Sequence, residues 1–432
     1  MNAEKWIEKH RHDDVNELAL KAAHFPDMDV REALVQIRGW QIAEKKLPLW
    51  AQTDGIRFPD HLPMEQCSSQ LTAEYKASLV ASMSIKDTMT DLTGGFGVDA
   101  AVLGQHFRHL TYVEQREDLC RLAHHNFPLL GIHDFEVVNA DCVNVLPDLP
   151  HQNLLLIDPA RRDACGRKTV AISDCTPDVS EMNQLLLEKA DTVMIKLSPM
   201  LDITSTERQL ADISEIHVVS VGGECKEILI LLQKTVNLHG NSPMITCADI
   251  TREGIQQFRF TRADEQQAMC RYSSNIGAYL YEPNASLMKA CPFRFLAQHY
   301  QLEQLHPNSH LYTSNDWIAD FPGRRFKVEE VLPINKQTTK QISHLRQANV
   351  SVRNFPATVA ELRKRFRLAE GGDTYLFATT LADNRRILIV CKKVGPSLYE
   401  ALRASLGKIN LPSSQASLRY RDAPRGGLKY KM

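Results

Sequence analysis

The sequence predicts an α/β fold built on a parallel sheet, with a helical region before it and small α+β units after it. Three observations carry this. Residues 87–235 alternate strand-like and helix-like segments, the rhythm that a parallel sheet with crossover helices requires. The strand-like runs are nearly continuously apolar, as strands buried on both faces are. A glycine-rich turn, Asp91-Leu92-Thr93-Gly94-Gly95-Phe96-Gly97-Val98-Asp99, joins the first strand to the helical run Ala100-Ala101-Val102-Leu103. Glycines suit that place because the backbone must turn tightly and lie close to a ligand.

The elements follow in order. Residues 1–65 read as helical and polar, broken at Pro26, Pro48, Pro59 and Pro63, with Ala33, Leu34, Ile37 and Ile42 at helical spacing within 30–43. Ser69 is placed to cap a helix reaching about Met83. The first strand ends at Asp91. A second, Leu110 to Glu114, ends in a carboxylate on the order of 20 residues past the loop, the spacing of a ribose-binding acid in α/β nucleotide sites. Ribose hydroxyls donate and a carboxylate only accepts, so the chemistry matches. A third strand runs from Phe135 to Asp141 and a fourth from Leu154 to Asp158-Pro159-Ala160-Arg161. The fifth is Asp191 to Leu197. His217–Val221 and Ile228–Leu232 close the sheet as a hairpin around Gly222-Gly223-Glu224.

This series resembles class I S-adenosylmethionine (SAM)-dependent methyltransferases, whose Rossmann-like sheet carries an acid at four strand ends in this order. The resemblance implies that Asp91, Thr93, Gly94, Gly95 and Gly97 form the cofactor loop. Glu114 takes the ribose, Asp141 the adenine amino group, and Asp158 closes the cofactor site. Asp158, Pro159 and Arg161 make the catalytic face. It also brings Gln66, Tyr75 and Lys76, near the helix before the first strand, toward the methionine end. Enzymes that methylate exocyclic amines have a second proline and an aromatic after the motif IV acid. Here Ala160 and Arg161 stand instead, closer to the Asp-Pro-Pro-Arg of some RNA base methyltransferases. Arg161, Arg162, Arg167 and Lys168 suit phosphates or base stacking.

A narrower resemblance rests on Glu65-Gln66-Cys67-Ser68-Ser69, Asp158-Pro159-Ala160-Arg161-Arg162 and Val352-Arg353-Asn354-Phe355. These are similar to a bacterial family in which a class I methyltransferase domain precedes a ferredoxin-like and a THUMP-like domain. The expected organisation is a helical region at 1–65, the methyltransferase domain at 66–235, a ferredoxin-like domain at 236–345, and a basic THUMP-like domain with its tail at 346–432. Within the last, Pro356 is expected at the first position of a helix over 357–368 that Gly371-Gly372 terminates. A hairpin is expected around Ala382-Asp383-Asn384. The tail from Ser413 reads as unstructured. THUMP domains occur in tRNA-modifying enzymes, so the resemblance implies an RNA substrate, a tRNA or rRNA base.

Charge points the same way. The chain is close to neutral, but residues 321–432 hold 22 Lys and Arg against 8 Asp and Glu, a net of +14, and the remainder carries −15. A basic third of this kind suits a polyanion. Ten cysteines with no paired spacing suit a reducing cytoplasm rather than disulfides or zinc. No apolar run approaches a membrane span, and the first residues lack a signal-peptide core. No metal is expected: His106, His109, His124, His125 and His133 lack a ligand spacing. Cys165 and Cys175 lack the Pro-Cys context of a pyrimidine C5 nucleophile. Two other readings stay open, a methyltransferase for a protein or small molecule and a non-catalytic RNA-binding protein with this fold.

Overall fold

The computed structural model describes residues 3–20, 29–161, 171–234 and 242–394. They form two compact units, one within residues 1–269 and 284–296, the other within 270–283 and from 297 onward.

The first unit is built on a nine-stranded sheet: β1 (Thr88–Asp91), β2 (His109–Glu114), β3 (Phe135–Asn139), β4 (Gln152–Ile157), β5 (Ala190–Leu197), β6 (Ile213–Val221), β7 (Glu224–Leu232), β8 (Met244–Thr251) and β9 (Gly254–Phe260). Their spatial order is β9-β8-β6-β7-β5-β4-β1-β2-β3. Strands β1 to β5 pair in parallel, and β7 inserts antiparallel between β5 and β6. The chain leaves β1 toward β2 and β3 and later returns to its other side at β4. The carboxyl ends of β1 and β4 therefore flank a topological switch point, where open α/β sheets bind ligands.

The β6–β7 hairpin turns through Gly222 (φ +61°) and Gly223 (φ +86°). Two successive positive φ values are what the tightest hairpin turns need. The sheet does not stop there. Strand β8 lies parallel to β6 and β9 folds back on β8, so the sheet runs past residue 235, the expected edge of the domain.

The N-terminal helices share the sheet's core: Leu47, Trp50, Phe58 and Met64 are buried with Phe96, Val98 and Leu103. Helix Val30–Lys46 begins at Asp29, whose side chain accepts from the Glu32 backbone N–H. Helix Gln70–Ala81 begins at Ser69, which caps the Thr72 N–H as its sequence position suggests.

The second unit holds an eight-stranded sheet, in the spatial order Arg271–Tyr272, Glu303–Gln304, Tyr312–Ser314, Tyr279–Pro283, Gly323–Pro333, Arg386–Lys393, Thr374–Thr380 and Asn349–Arg353. The expected hairpin around 382–384 is there. Ile342, Leu362 and Phe366 pack helices Lys336–Ser343 and Val359–Phe366 on Val350, Leu376 and Leu388. The second of these helices starts later than the proline suggests. Thr358 and Glu361 form a capping box that satisfies two orphan N–H groups at once, and this sets the start in place of Pro356. It ends at Arg367, in the left-handed region (φ +55°), before Gly371 is reached.

Arg353 of the Val-Arg-Asn-Phe segment pairs with the buried carboxylate of Glu282, Nη2 to Oε1 2.9 Å, and Arg324 takes the other oxygen, Nε to Oε2 2.6 Å. Asn354 adopts φ +50° and bonds His306 Nδ1 at 3.0 Å. No described helix is long and apolar enough to cross a membrane.

Gly39 gives a direct test of the packing between the N-terminal helices and the core. A Cβ there would lie 2.2 Å from Phe58 Cβ. Gly39→Ala is expected to cost about 1–3 kcal/mol, as overpacked cores do, read as a lower urea midpoint.

Candidate functional site

The glycine turn sits at the switch point, and its shape is set from below by Tyr112. A Cβ on Gly94 would fall 2.1 Å from the Tyr112 ring. The Tyr112 hydroxyl donates to the Gly95 carbonyl at 2.5 Å. Gly95 (φ +56°) and Gly97 (φ +84°) need the left-handed region, and a Cβ on Gly97 would press on Phe127. A Cβ on Gly95 would meet nothing nearer than 3.9 Å, so this face of the loop is open. Glu114, at the end of β2, accepts from Gly95 N–H at 2.9 Å and from Arg116 N–H at 2.8 Å, one bond to each oxygen. A carboxylate has about four acceptor positions, so Glu114 keeps capacity for a diol. Strand β3 ends at Asn139, two residues before Asp141. Asp141 instead caps the short helix Cys142–Val145 through the Val143 N–H at 2.9 Å.

Asp91 is buried beneath the loop and accepts from Thr93 N–H at 3.0 Å. Burial outweighs that bond and pushes its carboxyl up to about 8. The Thr93 hydroxyl accepts from Asp158 N–H at 2.6 Å, tying the end of β1 to the end of β4. Pro159 is buried. Ala160 and Arg161 pair by backbone with Thr176 and Cys175. Arg162, Cys165, Arg167 and Lys168 lie outside the described residues.

Beside this edge lies a cluster of buried charges. Lys196, near the end of β5, places Nζ 2.6 Å from Asp158 Oδ2 and 3.2 Å from Asp99 Oδ2. Lys76, on the helix before β1 and fully buried, holds Glu227 of β7 through both oxygens, at 2.7 and 2.8 Å, and lies 3.2 Å from Asp99 Oδ1. The Ser68 hydroxyl donates to Asp99 at 2.7 Å and lies within 3.3 Å of both lysines. Burial disfavours charge on Asp99, but the two ammonium groups outweigh it and hold its carboxyl well below the usual range. Glu227 pairs with Lys76 and feels Lys196 more weakly, but burial outweighs both and raises its pKa. Burial also opposes the charge on Lys196, yet Asp158 and Asp99 reverse that and lift its pKa well above an ordinary lysine. Two ammonium groups thus face three carboxylates.

The structure brings Asp91, Thr93, Gly94, Gly95, Gly97, Glu114 and Asp158 to one edge of the sheet. Of Gln66, Tyr75 and Lys76, only Lys76 joins the charged cluster. Gln66 is exposed, and Tyr75 turns onto the sheet, its hydroxyl 2.8 Å from His217 Nδ1. Lys196, Glu227, Asp99 and Ser68 were not singled out from the sequence. The available signal was a single lysine inside the apolar run Thr-Val-Met-Ile-Lys-Leu and a glutamate opening the run Glu227-Ile-Leu-Ile. Among the described residues no group of His, Cys, Asp and Glu is arranged to hold a metal ion.

A crystal structure of a candidate methyltransferase from Porphyromonas gingivalis W83 is 32% identical, covers 91% of this chain and 98% of its own, and superposes with a TM-score of 0.81. A family model described as a ferredoxin-like domain matches residues 279–322, and one described as THUMP domain-like matches 323–393. The chain therefore belongs to the family of class I methyltransferase-fold proteins with ferredoxin-like and THUMP-like domains. More distant are an rRNA methylase from Streptococcus thermophilus (13% identical, 38% of this chain, 95% of that chain, TM-score 0.29) and a candidate methyltransferase from Streptococcus mutans in complex with SAH (9%, 38%, 97%, TM-score 0.29). These two likenesses are too remote to bear on function. No protein of curated function matches the chain.

Two outcomes follow from the buried charges. Lys76→Met strands Glu227 and leaves Asp99 with Lys196 alone of its two cations, and breaking a buried pair in this way costs about 3–5 kcal/mol. Adding Glu227→Leu is expected to recover part of that loss, read by thermal melting. Asp91 holds its proton to higher pH in the folded chain than in the unfolded one. Its contribution is therefore fullest below the unfolded value of about 3.9 and is lost as pH rises toward about 8. The melting temperature of Asp91→Asn, relative to wild type, is expected to improve over that interval.

Proposed function

We propose that the protein is a SAM-dependent methyltransferase acting on RNA. The observation that carries the first half is the open glycine face at Gly95 with Glu114 beside it. Glu114 has acceptor capacity to spare for ribose hydroxyls, and Asp141, the cap of the short helix just after β3, is the residue proposed for the adenine amino group. The sulfonium of SAM is positive, and Asp158, 40% exposed, is the carboxylate of the cluster that opens to the crevice. SAM supplies a methyl group already activated by that sulfonium. The chain's own part is to hold the acceptor in line, which is worth much of the barrier, with Asp158, Pro159 and Arg161 at the acceptor side.

RNA is supported by the THUMP-like match at 323–393 and by the basic balance of the same region. The described cysteines are free thiols, in keeping with a reducing cytoplasm.

Calorimetry tests the cofactor. Wild type is expected to bind SAM, and Gly95→Asp, which adds a carboxylate beside Glu114 on a left-handed residue, is expected to lose that binding. Unchanged binding by the variant would remove the loop from the site. Filter binding tests the RNA. Affinity for bulk tRNA or rRNA should fall with salt as phosphate contacts release counterions, and deletion of 346–432 should weaken it. An affinity indifferent to both would leave a protein or a small molecule as the acceptor.

A further inference from the structure

We infer that the acceptor is a hydroxyl, in RNA the ribose 2′-hydroxyl, and that the Lys196–Asp158 pair receives it. This rests on the reading of the site as that of an RNA methyltransferase. It differs from a base target, the expectation from Asp158-Pro159-Ala160-Arg161 alone.

The pair lies where the acceptor must lie, at the carboxyl ends of β4 and β5 beside the switch point. Its two members differ in access: the Asp158 side chain is 40% exposed and that of Lys196 only 12%. Asp158 thus opens to the crevice while Lys196 stands behind it. Lys196 has one tight contact, Asp158 at 2.6 Å, and two long ones, Asp99 and Ser68 at 3.2 Å each. An ammonium has three donors. Either long contact can be exchanged for an incoming oxygen without breaking the pair with Asp158. The second lysine and Glu227, through Asp99 and Ser68, fix Lys196 from the buried side.

Lone-pair counting separates the acceptor classes. A hydroxyl has one O–H donor and two lone pairs. It can donate to Asp158, accept from Lys196 and still present a lone pair to the methyl carbon. An exocyclic amine has one lone pair, already drawn into its ring, and an ammonium donor beside it would occupy what the reaction needs. A pyrimidine carbon needs a thiolate nucleophile. The described thiols nearby do not offer one: burial pushes Cys67 up, its Sγ bonds the Met64 carbonyl, and Cys175 is buried.

The step balances as follows. The hydroxyl oxygen forms a bond to the methyl carbon while the carbon–sulfur bond breaks. The sulfur keeps that electron pair and becomes a neutral thioether. The hydroxyl proton passes to the Asp158 carboxylate and from there to solvent. Lys196, held as an ammonium by its carboxylates, stabilises the negative charge that grows on the oxygen.

The test uses total RNA from a strain lacking this protein. Purified full-length chain is incubated with that RNA and methyl-labelled SAM, and the digested nucleosides are identified by mass spectrometry. A 2′-O-methylnucleoside is expected, at a linkage that resists alkali. Lys196→Met and Lys196→Arg are expected to lower its formation about 10²-fold or more while calorimetric SAM binding is retained. Arginine keeps the buried positive charge, so it guards against a variant that merely misfolds, but its planar fork does not reproduce a point donor. Label on a base, or ribose methylation at full rate by both variants, would overturn the inference and leave the RNA methyltransferase reading standing. Failure of wild type to bind SAM would overturn that reading and the inference with it.

Discussion

The structure around the site depends on one arrangement, two lysines buried among three carboxylates. Lys76 comes from the helix before β1, Asp99 from the helix after the glycine turn, Asp158 from the end of β4, Lys196 from β5 and Glu227 from β7. Five separate elements are thus held in register by charge. Such clusters are costly to bury, and apolar residues of similar volume would stabilise the fold as well or better. Here the cluster lies beside the topological switch point, where open α/β sheets bind ligands.

The glycine turn and its position at the switch point were legible in the sequence because their logic is local. Asp91, Gly94, Gly95 and Gly97 lie within seven residues, and each answers to a backbone demand that one stretch of chain displays. Glu114 follows by a spacing that the fold repeats. The lysine cluster obeys no such spacing. Lys76 and Glu227 are 151 residues apart, and Lys196 and Ser68 128. Each charge reads alone as an oddity in an apolar run, and its partner appears only when the sheet order places β7 beside β5. The strands β8 and β9 were hidden for a related reason. Nothing in the alternation of residues 244–260 says which sheet edge they join.

The second unit shows the same divide at smaller scale. The hairpin around Asp383 was readable, since turn residues between two apolar runs have few other outcomes. The start of the helix at Val359 was misplaced because a proline is a permissive signal, whereas the Thr358–Glu361 capping box is a bonded one. The arginine of Val352-Arg353-Asn354-Phe355 counts in sequence toward the basic excess of residues 321–432. In the fold it neutralises Glu282 jointly with Arg324, and the positive face of this unit has to be drawn from other residues.

Tyr112 has a consequence for how a ligand arrives. Its ring fills the space under Gly94 and its hydroxyl holds the Gly95 carbonyl, so the glycine turn is braced before anything binds. A braced loop loses little conformational freedom on association, and that saving goes directly into affinity. The cost that remains is desolvation of Glu114. Discrimination at this edge then comes from how well a ligand replaces lost water, and not from how far the loop must travel to meet it.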